Sequence, residues 1–136
     1  LPGRTELGRD MRGTAAQAKN RVAGRVKQQA RAIAKRRAIG VEILTIREED
    51  PVPLDKRLLR ISQELCDRKG IDYEIMPSGA GHDAMQMAKI TPAGMIFVPS
   101  KRGISHNPLE WTDPRDIALG AQLLMETMVR VANEKL

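Results

Sequence analysis

Apolar positions recur along the chain at helical spacing in three places. Between Thr14 and Arg37, residues Ala15, Ala18, Val22, Val26, Ala30 and Ile33 return at three- and four-residue steps. That spacing predicts a helix with these residues on its buried face and Thr14 as N-cap, ended by Gly40. Leu54, Leu58, Ile61 and Leu65 mark a second helical face, closed by Gly70. Ile117, Ala121, Leu124, Met128 and Val131 mark a third, opened by Asp113 as cap and Pro114 at the first helical position. Shorter runs read as strands instead. Val41–Ile46 is β-branched and partly alternating, Tyr73–Met76 is a brief candidate ending at Pro77, and Gly94–Val98 reads as a buried strand. A short helix over Ala84–Ala88 lies between the last two.

The acidic, proline-containing stretch Glu48–Pro53 has the composition of a linker, which divides the chain into residues 1–50 and 51–136. The order in the second part, helix, strand, helix, strand, helix, predicts an α/β unit with a parallel strand pair covered by helices. Residues 1–9 carry Pro2, Gly3 and Gly8 as breakers and no strong period, which reads as a loose start or one cut from something larger.

Composition changes the picture in two ways. Aromatic residues are scarce, with one Phe, one Tyr and one Trp, so Leu, Ile, Val, Ala and Met must fill the core. The net charge of +6 is concentrated, because no acidic residue interrupts the chain between Asp10 and Glu42. Nucleic acid is therefore one partner to weigh, although the run lacks aromatic stacking platforms and a basic helix face is more often simply solvated. The single cysteine, Cys66, has no intramolecular disulfide partner, and no apolar run reaches the length of a membrane span. A cytoplasmic location with no membrane partner is the default expectation.

Both histidines, His82 and His106, fall in glycine-containing loops directly after predicted strands, where α/β proteins place ligand sites. The commoner role of a loop histidine is a solvated or turn-stabilising side chain. His106 also suits a metal, with the Glu110 carboxylate four residues on to orient or balance it. One histidine does not hold a catalytic metal, and the chain has no HxH, HExxH or paired-cysteine motif. The loop Ser78–Asp83 offers two glycines whose backbone N–H groups can approach an anion, or simply a tight turn. Ser78 lacks a nucleophile-elbow frame and is given a structural role. Asp10 and Arg12 pair a carboxylate with a planar guanidinium suited to a substrate carboxylate, although a surface arginine is the commoner outcome.

Met76-Pro77-Ser78-Gly79-Ala80-Gly81-His82-Asp83-Ala84, Met95-Ile96-Phe97-Val98-Pro99-Ser100, and Gly103-Ile104-Ser105-His106-Asn107-Pro108 with Glu110 resemble the C-terminal catalytic segment of the hydantoinase/carbamoylase family. That family comprises N-carbamoyl-L-amino-acid hydrolases, β-ureidopropionases, and allantoate and ureidoglycolate amidohydrolases. The resemblance covers nearly the whole chain and is most specific from Met76 to Glu110.

The resemblance implies the C-terminal part of a zinc-exopeptidase-like α/β catalytic domain, preceded by the last helix and strand of an α+β lid and dimerisation domain. It implies two divalent metal ions per active site (zinc, manganese, cobalt or nickel), a small ureido or carbamoyl substrate, and a homodimer. By the same resemblance His106 matches a metal ligand, Gly81 a glycine whose backbone helps hold the substrate, and Arg12 the lid arginine that grips the substrate carboxylate. His82, Asp83 and Glu110 are expected to act around these residues, ordering the loops. The family's remaining metal ligands and its general-base glutamate have no counterpart in these residues, so the 136 residues alone are expected to be inactive. The alternative is a small basic module that binds nucleic acid or only dimerises.

Overall fold

The computed structural model describes residues 3–134; Pro2, read above as a breaker, lies outside them. The chain forms two compact units. One comprises the residues up to Pro51 together with Pro77–Ala80, the other Val52–Met76 and the residues from Gly81 onward.

The first unit is built on α1, Ala16–Arg37. Its N-cap is Ala15, without a side-chain hydrogen bond, so Thr14 does not cap it as expected. The helix ends earlier than Gly40: Ala38 takes the left-handed conformation (φ 53°, ψ 41°), and the Ile39 N–H closes on Ala34 O at 3.0 Å. Lys35, Arg36 and Arg37 in the last turn face the negative end of the helix dipole.

The covered stripe also differs from the expected one. Ala16, Lys19, Ala23, Lys27, Ala30 and Ala34 are the more enclosed positions, whereas Val22, Val26 and Ile33 are exposed. The reason is what lies across the helix. Lys27 Nζ donates to Thr45 Oγ1 at 3.1 Å, and Lys19 Nζ reaches the Glu49 carbonyl and Asp50 Oδ1, so residues 45–50 return antiparallel to α1. Alanines let that segment approach, and lysine stems lie along it with their heads on its polar groups.

The second unit is built on α2, Lys56–Lys69, and α4, Pro114–Asn133, with the short α3, Asp83–Met87, between them. Asp55 caps α2 by accepting the N–H groups of Arg57 at 2.8 Å and Leu58 at 3.0 Å, and Gly70 (φ 63°) ends it. Asp113 caps α4, accepting Arg115 N–H at 2.9 Å, with Pro114 in the first turn as expected.

Ile61, Leu65, Cys66 and Leu123 form the core, with Ile71, Ile96 and Val131 against it. The polar member, Thr127, is satisfied by donating to Leu123 O at 2.8 Å and sharing a hydrogen bond with Ser62 Oγ at 3.3 Å. Arg57 with Glu134, Arg130 with Glu64, and Lys69 with Glu126 tie the two helices in antiparallel sense. On α4 the two buried positions are Leu123 and Thr127, with Val131 half-buried one turn on. Ile117, Leu124 and Met128 from the expected stripe are exposed, because the helix is apolar on two sides and α2 covers only one.

The expected strands require correction. Among the described residues 41–46, 73–76 and 94–98 form no β ladder, and the predicted parallel pair is absent. A helix closes its backbone hydrogen bonds within one segment, but a strand needs a neighbour to accept them. Residues 94–98 instead pack between the two long helices. A Cβ on Gly94 would lie 3.3 Å from Leu58 Cβ, Ile96 sits on the core, and a Cβ on Gly120 of α4 would come within 2.5 Å of Val98 Cγ1. Gly120 is thus favoured by the close approach of Val98.

Candidate functional site

Candidate side chains occur in both units. In the first, Arg12 lies four residues ahead of the start of α1 and is held from two sides. Its Nε donates to Asp10 Oδ2 at 2.8 Å, and Nη1 donates to the Gly79 carbonyl at 2.8 Å. The hydrogen bond from Arg12 holds the Asp10 carboxyl below its usual range, and the same bond raises the guanidinium. Arg12 remains exposed, so the fork is oriented yet open to solvent. Beside it an open cleft of about 430 Å³ is lined by Asp10 to Ala15 with Ala18, Lys19 and Val22 of α1. An oriented guanidinium at such a cleft can bind a small carboxylate. The Gly79 carbonyl is a contact sequence reasoning missed, and no side-chain pattern reports a backbone acceptor.

In the Ser78–Asp83 loop, Ser78 Oγ accepts the Ala80 N–H at 3.2 Å, tightening the turn. Gly81 is exposed, and a Cβ there would meet nothing within 4 Å, so packing within this chain does not itself require a glycine. His82 is the N-cap residue of α3, its carbonyl accepting Met85 N–H at 2.9 Å, and its ring meets Phe97 edge-on at 5.5 Å. Asp83 lies in the first turn of α3, toward the positive end of that short helix.

His106 lies in the loop between Ser100 and Trp111, whose ends are joined by Lys101 N–H donating to Trp111 O at 2.8 Å. The Lys101 ammonium also lies 5.4 Å from the centre of the Trp111 ring, and Ser100 Oγ donates to Ile104 O. His106 is exposed with φ 55°, and its backbone N–H donates to Glu110 Oε2 at 2.8 Å. The structure therefore brings His106 and Glu110 together, through the backbone of one and the carboxylate of the other.

The chemistry of the donor set decides how far a metal fits. An exposed imidazole on a pinned loop suits one ligand position for a divalent ion. Among the described residues no three His, Cys, Asp or Glu side chains converge into a metal-binding group.

The class follows from relatives across nearly the whole chain, which are hydrolases by name. The chain is 42% identical over 132 residues to an uncharacterized hydrolase of Haemophilus influenzae, covering 97% of this chain and 32% of that protein. It is 39% identical over 135 residues to the allantoate amidohydrolase of Escherichia coli, covering 99% of this chain and 33% of that protein. The crystal structure of AtUAH in complex with glyoxylate superposes with a TM-score of 0.78 at 32% identity, covering 88% of this chain and 28% of that one. Residues 6–130 match the model of Peptidase family M20/M25/M40, and the chain belongs to that family. It spans about a third of the length of the relatives it matches. The resemblance read over nearly the whole chain is thus borne out, and the fold is peptidase-M20-like. Enzymes of this family are generally metal-dependent.

Proposed function

We propose that the chain is the C-terminal portion of a metal-dependent amidohydrolase that cleaves linear C–N bonds of N-carbamoyl-L-amino acids or allantoate-like ureido acids. The similarity to an allantoate amidohydrolase over 135 residues carries this reading, because it spans the Arg12, Gly81 and His106 segments together. Residues 1–50 are read as the end of a lid and dimerisation domain, and residues 51–136 as the end of the catalytic domain.

Arg12 binds the substrate carboxylate through its fork, oriented by Asp10 and the Gly79 carbonyl. The Gly81 backbone approaches the substrate where no side chain intervenes. His106 supplies one imidazole to a divalent ion. Bound metal, which in the full enzyme we take to be two zinc, manganese, cobalt or nickel ions, would be held in part by His106 and would supply activated water and polarisation of the scissile carbonyl. These residues thus position substrate and metal, and the proton shuttle belongs to a residue outside this stretch. The basic run of α1 does not demand nucleic acid, since Lys19 and Lys27 are already engaged within their own unit.

The test is ammonia release from allantoate, ureidoglycolate and a panel of N-carbamoyl-L-amino acids by the longer protein carrying this sequence, supplied in turn with each of the four metals. Turnover of at least one ureide is expected. Activity confined to peptides, or a steeply salt-dependent affinity for nucleic acid with no ureide turnover, would overturn the proposal.

A further inference from the structure

We infer that Glu110 is the positioning residue for His106, and that it acts through the backbone of His106 and not through its ring. The inference rests on reading His106 as a metal ligand. His106 holds φ 55°, a left-handed conformation that a residue with a Cβ keeps against steric opposition unless something compensates. The compensation is visible: the His106 N–H donates to Glu110 Oε2 at 2.8 Å, a charge-assisted bond.

Glu110 is itself held. Its own N–H donates to Asn107 O at 2.9 Å, and Asn107 Oδ1 accepts the Leu109 N–H at 2.9 Å, so the four-residue return from His106 to Glu110 is a closed turn. The next residue, Trp111, accepts the Lys101 N–H at 2.8 Å and stands against the Lys101 ammonium. The carboxylate therefore links a histidine whose backbone is strained to the joined base of its loop. Without that link the backbone relaxes toward negative φ, and the Cα–Cβ direction from which the imidazole departs turns with it. A ligand or reactant displaced by about 1 Å can cost on the order of a hundredfold in rate, so aiming the ring is a substantial contribution.

The role predicts a particular ranking of substitutions in the longer protein carrying this sequence. Glu110→Gln keeps an oxygen able to accept the His106 N–H, whereas Glu110→Ala removes it. In metal-free protein, Glu110→Ala should speed amide hydrogen exchange at His106 while Glu110→Gln stays close to the parent. Metal affinity and kcat should fall about ten- to a hundredfold in Glu110→Ala, with KM unchanged, and be largely retained in Glu110→Gln. Should Glu110→Ala fail to fold, Glu110→Asp carries the same test, since it keeps the charge but shortens the reach by one methylene and is expected to lose protection of the same amide.

Unchanged exchange at His106 in Glu110→Ala or Glu110→Asp would overturn the inference. So would a Glu110→Gln variant as damaged as Glu110→Ala, because charge or direct coordination would then be the role. His106→Ala separates this from the underlying reading. If it leaves metal binding intact, the ligand assignment fails, while hydrogen exchange still judges the clamp.

Discussion

Arg12 and His106 stand on differently built ground. Arg12 belongs to a unit in which, among the described residues, Ala34 is the one buried apolar residue, and it is oriented by direct contacts with Asp10 and the Gly79 carbonyl. His106 belongs to a unit with a core of Ile61, Leu65, Cys66 and Leu123, two capped helices joined by ion pairs, and a loop tied at its ends. The difference suits the proposed roles. A residue that binds a flexible ligand can be placed by its own hydrogen bonds, whereas a metal ligand has to be fixed by the scaffold beneath it.

The largest effect is expected at His106 itself. In the longer protein, His106→Ala should lower turnover by more than about a hundredfold, exceeding the cost usual for a group behind the ligands, without changing the melting temperature. Next in size is the core. Ile61, 2% exposed, should cost about 2–5 kcal/mol on change to Ala, seen as a lower denaturation midpoint. Truncation to Ala at exposed Val22 of α1 should cost no more than about 0.5 kcal/mol among these residues alone.

Arg12 follows. Losing a hydrogen bond to a charged group is worth about 1.5–3 kcal/mol, so Arg12→Ala should raise KM roughly ten- to a hundredfold with kcat less affected. Arg12→Lys should not restore KM, since a lysine lacks the planar fork.

Acid provides the smallest effect, and it sharpens the contrast. Hydrogen bonds from Arg57 to Glu134, and from Lys69 and then Gln122 to Glu126, hold both carboxyls below the usual glutamate value of 4.5. A depressed carboxyl contributes stability that is fully present above its unfolded value and is lost as pH falls through the folded one. The pairing of α2 and α4 should therefore be flat in pH from neutrality to about 4.5 and weaken below it, less so in high salt, as circular dichroism can follow. Asp10 is lowered from 3.8 by Arg12, so the Asp10–Arg12 contact should persist to lower pH than the helix pairing begins to weaken.

The sequence declared its helices more clearly than its strands or its covered faces. Helices α2 and α4 carry local signals, Gly70 at one end and Asp113 with Pro114 at the other, that act within a few residues whatever surrounds them. Val41–Ile46 and Gly94–Val98 have the composition of strands, but a ladder depends on another segment, and composition does not supply one. The face of α4 was misjudged between Leu123 and Leu124 because both neighbours are apolar, and only the position of α2 decides which is covered. At the candidate site, the histidine and arginine were legible from motif and charge. The Glu110 bond to the His106 N–H and the Gly79 bond to Arg12 were not, since each has a backbone group as one partner.

On the proposed reading, these residues position substrate and supply one metal ligand without completing a hydrolytic site. The direct measurement is ammonia release from allantoate, with divalent metal present, by the 136 residues alone and by the same residues joined to the upstream two thirds of an amidohydrolase relative. No release above buffer is expected from the first, and metal-dependent release from the second. Turnover by the 136 residues alone that vanishes in His106→Ala would contradict that reading.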